Sequence, residues 1–525
     1  MNVNLNPSAE QKTTRRNFLK TAALAGAAMG LPGCVTTTAP TSVATSAQRI
    51  VGANGDIRVA VIGFRSRGAA HIGALSRIKG VRIVALCDVD HSVLDKKVAE
   101  LSKKGVTVEA FTDIRKLLEK KDLDAVSIAT PNHWHSLAGI WAMQAGMDVY
   151  TEKPVSHNVW EGRQLAGAAK KFGKIVQTGT QCRSSVGIAE GVKYVQSGAL
   201  GKILVSRGFC YKPRKSIGQC GGPQKVPETI DYDIWCGPAP TDPPHRNGPN
   251  GPVHYDWHWF WNFGGGDLGN QGIHQMDICR WFLGEPELAP AIVSAGGRFG
   301  YSDDAETPNT FVTLQNYAKA PLIFEVRGLP KAKQYQDKTW ENNMDKYKSA
   351  RVGCVIECEG GYVVVPSYSQ AIVYDKDGKE MKKFSDKGAS EAGQPDLSGG
   401  SESGHHANWI AAVRARNEKL LTAPILGGHI SSALCHTANI SYKLGAKKAP
   451  GEIREQLKGQ RGIGEAFDRM AAHLEANGVD INSDKVALGV PLQLDPKTEK
   501  FIGNADADKL LTRNYRAPFV VPQIA

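Results

Sequence analysis

The pattern of apolar and polar positions between residues 56 and 90 predicts a strand, a turn, a helix and a second strand. Two apolar runs, at residues 59–62 and 81–86, have the length and composition of buried parallel strands. Between them, apolar residues recur at the spacing of an amphipathic helix, at Ile72, Leu75 and Ile78. The stretch is therefore typical of the first β-α-β unit of a dinucleotide-binding fold.

The turn between this strand and helix carries two glycines, and we assign it to cofactor binding. Gly63 would let the chain turn sharply, and Gly68 would let the helix pack close to the strand. Free N–H groups at the helix N-terminus would then face a pyrophosphate. Arg65 stands where the G-x-G-x-x-G pattern has its second glycine, so an ordinary β-α-β unit without a nucleotide is the alternative. The predicted cofactor-binding residues of the turn are Gly63, Arg65, Ser66, Arg67 and Gly68.

Asp88 follows the second strand and lies 25 residues after Gly63. A carboxylate at this place can accept hydrogen bonds from the ribose hydroxyls of the cofactor. It would also repel a 2′-phosphate, which favours NAD over NADP. Arg65 and Arg67 leave NADP possible, because an arginine could pair with the additional phosphate.

Two later predicted strands also end in polar residues. The strand at 125–129 is followed by Thr130-Pro131-Asn132-His133-Trp134-His135, and the strand at 148–151 by Glu152-Lys153-Pro154. Because the carboxyl ends of parallel strands meet at one edge of a sheet, both groups should border the same ligand site. Of the two histidines, we expect one to line the cofactor site and the other to cap the following helix.

The second half of the chain predicts a sheet that is mostly antiparallel. Its strands are expected at 202–212, 290–299, 310–314 and 322–326, and helices at 404–416 and 431–444. Glycine and proline in 212–256 predict a long loop that could cover the site. In the aromatic run 254–263, three tryptophans on alternate positions would share one face of an extended chain, to bind a sugar ring or to pack the sheet: Trp257, Trp259 and Trp261.

Three motifs in order resemble the Gfo/Idh/MocA oxidoreductases over roughly residues 56–450. They are the two strand ends above and the sequence Gly-Gly-Gly-Asp-Leu-Gly-Asn-Gln-Gly-Ile-His-Gln-Met-Asp at 264–277. The resemblance implies an α/β protein with an N-terminal Rossmann domain and a C-terminal α+β domain that has an open, mostly antiparallel sheet. It also implies Lys153 as the catalytic lysine and His274 as the acid/base histidine. The further cofactor contacts that it implies are Thr130, Pro131, Asn132, His135 and Glu152.

The chemistry of these residues agrees with the resemblance. A partly buried lysine beside a nicotinium cation should have a lowered pKa, and a histidine can take a hydroxyl proton near neutral pH. The alternatives are a solvated lysine at a strand end and a histidine that only packs. The family usually has aspartate four residues before the histidine, and this chain has Asn270, which can orient a hydroxyl but cannot act as a base. Asp267, a predicted substrate contact, and Asp277 offer carboxylates nearby.

Composition excludes several other classes of protein. The 525 residues are 41% hydrophobic and 22% charged, as in globular proteins of two or three domains. The formal charge of +12 comes from scattered lysines without a nucleic-acid-binding motif, so we predict no nucleic-acid partner. The ten cysteines form no Cys-x-x-Cys pair, and the adjacent His405 and His406 have no acid or cysteine at ligand spacing. We therefore predict neither a metal site nor disulfides.

The N-terminus has the pattern of an export signal. Residues 14–20, Thr-Arg-Arg-Asn-Phe-Leu-Lys, resemble the twin-arginine signal, and the apolar stretch 21–33 is too short to span a bilayer. Leu31-Pro32-Gly33-Cys34 resembles a lipoprotein processing site with Cys34 as the lipidated residue, the alternative being ordinary cleavage near 44–47. We expect a periplasmic protein that touches the membrane only through its signal or a lipid anchor.

The sequence predicts five segments: a signal at 1–34, a flexible tether at 35–54, an NAD(P)-binding Rossmann domain at 55–175, a substrate domain at 176–450 and an extension at 451–525. The extension should wrap the domain or join a subunit interface, and we expect a homo-oligomer. The predicted function is oxidation of a sugar or polyol hydroxyl with a tightly bound, recycled NAD(P). The alternative is an NAD-dependent glycoside hydrolase or lyase that transiently oxidises a ring hydroxyl. Intact Lys153 and His274 argue against a third possibility, a non-catalytic binding module.

Overall fold

The computed structural model describes residues 55–244, 253–337, 339–386, 402–483 and 485–525. The predicted signal at 1–34, with Cys34, and the tether at 35–54 lie outside the described residues. So do residues 245–252 of the predicted covering loop. Within the part that is described, no helix has the length and apolarity needed to cross a membrane.

The first sheet is parallel throughout and has the strand order β3-β2-β1-β4-β5-β6. Its strands are β1 Ile57–Ile62, β2 Val81–Cys87, β3 Glu109–Phe111, β4 Ala125–Ile128, β5 Asp148–Thr151 and β6 Val176–Thr178. The connecting helices are α1 Arg67–Leu75, α2 His91–Lys103, α3 Ile114–Leu118, α4 Asn132–Gln144 and α5 Val159–Phe172. This order reverses between β1 and β4, and ligands of doubly wound sheets bind at such a point.

The second sheet has twelve strands in the order β14-β13-β12-β11-β7-β10-β9-β8-β16-β15, with β17 on β8 and β18 on β17. Only β7 and β10 pair in parallel, so the predicted mostly antiparallel sheet is confirmed. Its strands are β7 Ile203–Tyr211, β8 Ala291–Gly297, β9 Thr310–Gln315, β10 Leu322–Arg327, β11 Val352–Cys358, β12 Gly361–Ser367, β13 Gln370–Tyr374, β14 Glu380–Ser385, β15 Ala446–Lys448, β16 Val486–Leu488, β17 Leu492–Asp495 and β18 Lys500–Phe501.

Helices cover both faces of this second sheet. The remaining helices are α6 Val186–Gln196, α7 Tyr232–Cys236, α8 Ile273–Leu283, α9 Glu402–Ala415, α10 Ile425–Lys443, α11 Pro450–Leu457, α12 Ile463–Ala476 and α13 Ala505–Lys509. Helices α6, α8 and α10 form one core with the sheet, and α11 and α12 form another on the opposite face. Helix α9 returns to the first sheet, where Trp409 is fully buried beside β1.

The C-terminal residues wrap the first domain. Phe519 is buried against Trp134 and Trp141 of α4, with ring centroids 5.5 and 6.4 Å apart. The final residue, Ala525, donates its backbone N–H to Gln164 of α5 at 2.9 Å. The last residues of the extension thus pack against the first domain, which is one of the two places predicted for them.

Candidate active site

A cleft of about 460 Å³ lies at the carboxyl ends of β1, β2, β4 and β5. One wall belongs to the first domain, and the opposite wall to the region around the start of α8 and the loop after β12. The residues predicted from sequence that line it are Gly63, Arg65, Ser66, Arg67, Asp88, Thr130, Pro131, Asn132, His135, Glu152, Lys153, Trp257, Asn270 and His274. The structure thus brings together residues that are more than two hundred positions apart in the chain.

The glycine turn has the geometry that the sequence predicts. Gly63 has φ +73°, and a Cβ on it would lie 2.9 Å from the backbone of Thr130. A Cβ on Gly68 would lie 2.1 Å from the carbonyl oxygen of Gly63, so glycine is required where α1 meets the strand. The first turn of α1 contains no acidic residue. The turn therefore leaves a backbone cradle and a helix N-terminus that fit a dinucleotide pyrophosphate, although Arg65 replaces the second glycine.

Asp88 is fixed at the end of β2 by two backbone hydrogen bonds. Its carboxylate accepts from the N–H groups of Phe64 at 3.0 Å and Asp90 at 3.1 Å. Burial raises the pKa of Asp88 to about 6, although these two hydrogen bonds act in the opposite direction. The carboxylate lies on the cleft wall with the capacity to accept further hydrogen bonds, as a ribose-binding acid must.

Glu152 is the centre of a buried polar network that the sequence did not reveal. It accepts hydrogen bonds from Arg67 at 3.0 Å and from Gln181 at 3.3 Å, and His71 lies 3.2 Å away. The Arg67 guanidinium and His71 hold the pKa of Glu152 well below its usual range against the effect of burial. Arg67, predicted to face a phosphate, is therefore engaged with Glu152. The sequence contains one indication of this network, because Arg67 and His71 are four residues apart and therefore lie on the same face of α1.

The two histidines after β4 have different surroundings. The ring nitrogens of His135 lie 2.6 Å from the carbonyl oxygen of Pro154 and 2.7 Å from that of Thr130. It thus lines the cleft, as predicted for one of the pair, and connects the two strand-end motifs. His133 is buried, and its Nε2 lies 2.8 Å from the carbonyl oxygen of Trp235. Neither caps α4, because the residue before the helix is Pro131 without a side-chain cap.

Lys153 and His274 face the same space from different domains. The Lys153 ammonium donates a hydrogen bond of 2.7 Å to the backbone carbonyl of Asn270. Burial lowers the pKa of Lys153 to about 8, against the opposing charge of Glu152. His274 is buried at the start of α8, and its Nδ1 has no hydrogen-bond partner among the described residues. Burial and the nearby Lys153 hold its pKa well below the usual range, so its ring is neutral.

Asn270 lies in a π-helical turn, Leu268–Gly272, that leads directly into α8. Such turns are uncommon and are frequent at functional sites. The turn presents the backbone carbonyl of Asn270 to Lys153. Asn270 is also one of the residues that line the cleft. The contact of Asn270 with Lys153 is therefore made by the backbone and does not depend on the difference between asparagine and aspartate.

Neither nearby aspartate compensates for Asn270, which corrects the prediction for Asp267. Asp267 is buried in a bidentate ion pair with Arg214, at 2.5 and 2.8 Å, and is not among the residues that line the cleft. Asp277 pairs with Arg183 at 2.7 Å and accepts a hydrogen bond from Ser431 at 2.6 Å. Both carboxylates are fully used in holding the second domain together.

The aromatic run is folded and not extended, which corrects the prediction of a shared tryptophan face. Residues Asp256–Trp259 form a 3-10 turn. Trp257 lines the cleft and stacks on His258 at 3.6 Å, but Trp259 packs against the Arg214 guanidinium behind it. Trp261 lies near Tyr442, outside the cleft wall. The turn brings Gly264 against His258. A Cβ on Gly264 would lie 2.6 Å from the His258 backbone, so the close approach requires glycine.

Several cleft residues had no signal in the sequence. Tyr368 lies between β12 and β13, in a region where no strand was predicted, and accepts a hydrogen bond of 2.6 Å from Gln271. Lys212 follows β7, and its ammonium lies 3.4 Å from the amide oxygen of Gln271. The other unpredicted lining residues of this half are Tyr255 and His258.

The remaining polar candidates have structural roles. His405 contacts the backbone carbonyl of Thr178 at 2.8 Å, and His406 stacks on Tyr150 at 4.1 Å. Across the described ranges, no cluster of histidine, cysteine and acidic residues could hold a metal ion. The nine described cysteines are free, and Cys87, Cys279 and Cys435 are buried core residues.

Three family models match the sequence. A model described as an oxidoreductase family with an NAD-binding Rossmann fold matches residues 57–180. The model of the C-terminal α/β domain of that oxidoreductase family matches residues 185–324, and a twin-arginine translocation signal matches residues 12–32.

Curated relatives match about a third of this chain. A glycosyl hydrolase family 109 protein of Shewanella pealeana is 31% identical over 182 residues, which cover 31% of this chain and 38% of the relative. An inositol 2-dehydrogenase of Salmonella paratyphi B is 27% identical over 180 residues, covering 34% of this chain and 52% of the relative. The chain thus spans between about a third and half of the length of these relatives.

The fold also resembles that of a solved structure. Levoglucosan dehydrogenase in complex with NADH and levoglucosan superposes with a TM-score of 0.53 at 17% identity, over 72% of this chain and 95% of that chain. At this level of identity the likeness shows the two-domain fold.

Proposed function

The chain belongs to the Gfo/Idh/MocA oxidoreductase family, and from this premise we propose that it is an NAD-dependent oxidoreductase acting on a hydroxyl group of a sugar or polyol. The observation that carries the proposal is the position of Lys153. Its ammonium lies in the cleft wall, bound to the Asn270 carbonyl at 2.7 Å, beside the neutral His274. The same cleft contains the glycine turn and Asp88, which fit a dinucleotide.

Proton transfer is the role of Lys153 in this proposal. NAD, when bound, supplies the redox chemistry as the acceptor of the hydrogen and electron pair that leave the carbinol carbon. The hydroxyl proton then goes to the neutral amine of Lys153, and the oxygen becomes a carbonyl. Because the pKa of Lys153 is lowered to about 8, the amine gains and releases a proton near neutral pH.

In this scheme His274 orients the substrate hydroxyl and Asn270 positions Lys153. His274 lines the cleft with a neutral ring, which can form a hydrogen bond with a hydroxyl group. The Asn270 carbonyl holds the Lys153 ammonium in place, which reduces the reorganisation needed before proton transfer. Trp257 gives the cleft an aromatic surface that suits the apolar face of a sugar ring.

We also propose that the cofactor is retained and that each cycle regenerates it. The chain carries a twin-arginine signal, and this route exports proteins that have already folded. A nucleotide bound in the cytosol can therefore travel with the protein to the periplasm, where little free NAD(H) is available for exchange. The hydride equivalents would return either to a second substrate or to the same sugar.

A redox-neutral glycoside hydrolase is the second candidate function. The specific observation in its favour is the similarity to glycosyl hydrolase family 109 proteins. Oxidation of a ring hydroxyl acidifies the neighbouring C–H, so elimination and addition of water can break a glycosidic bond before the ring carbonyl is reduced again. This route does not need the two carboxylates of ordinary glycosidases.

One experiment tests the proposal and separates the two candidates. The protein is purified without added cofactor and is supplied with a panel of sugars, polyols and aryl glycosides. Activity with nucleotide that is stoichiometric and does not exchange supports a retained cofactor. Release of an aglycone without net NADH indicates the hydrolase, whereas oxidised sugar with reduced nucleotide or a reduced second substrate indicates the oxidoreductase. Turnover that consumes added NAD in proportion to product would contradict retention.

Three further expectations are part of the proposal. Asp88 favours NAD, while Arg65 is exposed at the cleft rim and leaves NADP as an alternative.

Lipidation at Cys34 would attach the protein to the membrane, and mass spectrometry of the mature N-terminus tests this. We also expect a homo-oligomer, for which the mass in solution is the test.

A further inference from the structure

We propose that the substrate of this cleft is an acidic sugar, whose carboxylate or phosphate group is bound by Lys212. The inference rests on the proposed function, because it assigns a substrate class to the same site. It follows from the distribution of charges around the cleft.

Most charged groups of the cleft are paired within the protein. Glu152 is paired with Arg67 at 3.0 Å, and Asp90 with His254 at 2.9 Å. Asp88 accepts two backbone hydrogen bonds on the side of the glycine turn, where the nucleotide is expected. These groups belong to the wall formed by the first domain and its covering loop.

The opposite half of the cleft contains a cation, Lys212, without a carboxylate partner among the described residues. Lys212 is half-buried and lines the cleft, and its side chain makes one weak contact, with the Gln271 amide at 3.4 Å. No carboxylate of the described residues lies within ion-pair distance of it. Its charge lowers the pKa values of Lys153 and His258, so the three groups share one local environment.

The side chain of Asn270, which also lines the cleft, is neutral and adds no counter-charge for Lys212. Asp267 is no free counter-charge either, because it is paired with Arg214 at 2.5 Å. Cations that are partly removed from water are stabilised by an anion that binds them. A substrate that brings its own negative charge would therefore bind more tightly than its neutral counterpart.

The test compares neutral and acidic sugars of the same configuration. Full-length protein with its retained nucleotide is titrated calorimetrically with D-glucose, D-galactose and D-mannose, with their uronates and with their 6-phosphates. We expect at least one acidic sugar to bind about tenfold or more tightly than its neutral counterpart, because a hydrogen bond to a charged group is stronger than one between neutral groups. The better of the uronate and the phosphate identifies the anionic group.

Two substitutions assign the preference to Lys212. Lys212→Gln should weaken the acidic sugar about tenfold or more and leave the neutral one unchanged, while Lys215→Gln is the matched control on an exposed neighbour outside the cleft. Asn270→Asp should also weaken the acidic sugar, because it adds a competing negative charge. This second variant tests the inference independently of how Lys212→Gln folds.

Other results would overturn the inference without affecting the proposed oxidoreductase. If no acidic sugar binds more tightly than its neutral counterpart, or if Lys212→Gln weakens both equally, Lys212 does not select an anion. Calorimetry does not require turnover, so reduction of the bound nucleotide is measured separately. If acidic sugars bind in a Lys212-dependent way but no nucleotide is reduced and no product forms, the proposed oxidoreductase activity is contradicted. The assignment of Lys212 as an anion-binding residue would then still stand.

Discussion

The pKa of Lys153 results from opposing effects of burial and of neighbouring charges. Burial and the positive charges of Arg67 and Lys212 lower its pKa, while the carboxylate of Glu152 raises it. The result, about 8, leaves the amine protonated in most molecules at neutral pH but able to lose its proton at low cost. Both Lys153 and Asn270 could be singled out from the sequence, but the hydrogen bond that joins them became visible only in the structure.

Substitution of Lys153 should separate catalysis from binding. We expect Lys153→Met to retain the fold and the nucleotide but to lose about a hundredfold or more in turnover, the scale of one proton-transfer group. Lys153→Arg is the matched variant, since it keeps the charge but holds its proton permanently, and it should be similarly inactive. Steady-state rates and nucleotide content are the measurements. Near-normal turnover of either variant would refute the catalytic role.

The pH dependence of oxidation should follow the ionisation of Lys153. The amine must be neutral to accept the hydroxyl proton, and its neutral fraction rises as the pH passes its pKa of about 8. We therefore expect kcat/KM for oxidation to rise from pH 6, to be half-maximal at about pH 8 and to level off about one pH unit higher. A rate that is flat across this range would show that Lys153 does not take the proton before or during the slow step.

Asp88 should control nucleotide affinity and choice. Its carboxylate has a raised pKa of about 6, so it is ionised above that pH and protonated below it. NAD affinity should therefore fall as the pH drops from 7 to 5, and this dependence should disappear in Asp88→Asn. Asp88→Ala should weaken NAD binding and narrow the preference for NAD over NADP. Tighter binding of NADP by the unmodified protein would assign phosphate recognition to Arg65 instead.

At the scale of elements, the sequence predicts helices and strands best where the spacing of apolar residues alone determines the structure. The β1-α1-β2 unit, the strands before Thr130 and Glu152, and four strands of the second sheet could all be predicted, because their apolar residues face a core. The strands Val352–Cys358 and Gly361–Ser367 were missed, although Val355, Ile356 and the three valines at 363–365 are buried on the two faces of the sheet. Such strands have no alternating pattern and depend on neighbours that lie far away in the chain.

The aromatic run and the aspartates show why tertiary contacts limit such predictions. Alternate tryptophans suggest an extended strand, but the chain turns where Gly264 lies against His258 and where Arg214 packs on Trp259. Likewise, Asp267 follows the glycines of the motif but is bound by Arg214, a residue 53 positions earlier. No local pattern contains these long-range pairs.

Phe519 should contribute strongly to the packing of the C-terminal extension on the first domain, where Tyr515 also packs against Trp160. Phe519 is 1% exposed and packs on Trp134, whereas its neighbour Val520 is 47% exposed. Phe519→Ala should lower the free energy of unfolding by about 3–5 kcal/mol, the usual range for a buried phenylalanine, while Val520→Ala should change it little. Urea unfolding of the two variants measures this difference. Equal stabilities would mean that the last residues are not anchored by Phe519.

At the scale of the whole molecule, the cleft joins two domains and the export signal determines when it can be filled. The first domain supplies the glycine turn, Asp88 and Lys153, and the second supplies Asn270 and His274. The hydrogen bond between Lys153 and Asn270 crosses this junction. Since twin-arginine export follows folding, the complete cleft exists before the protein leaves the cytosol, where NAD is available.

Native mass spectrometry of the full chain, purified without added nucleotide, measures whether the cleft holds NAD. We expect one NAD or NADH per chain that survives dilution and buffer exchange, and a weaker complex for Asp88→Ala. A protein that emerges without nucleotide, and keeps its unliganded mass when NAD is added in excess, would contradict the assignment of the cleft.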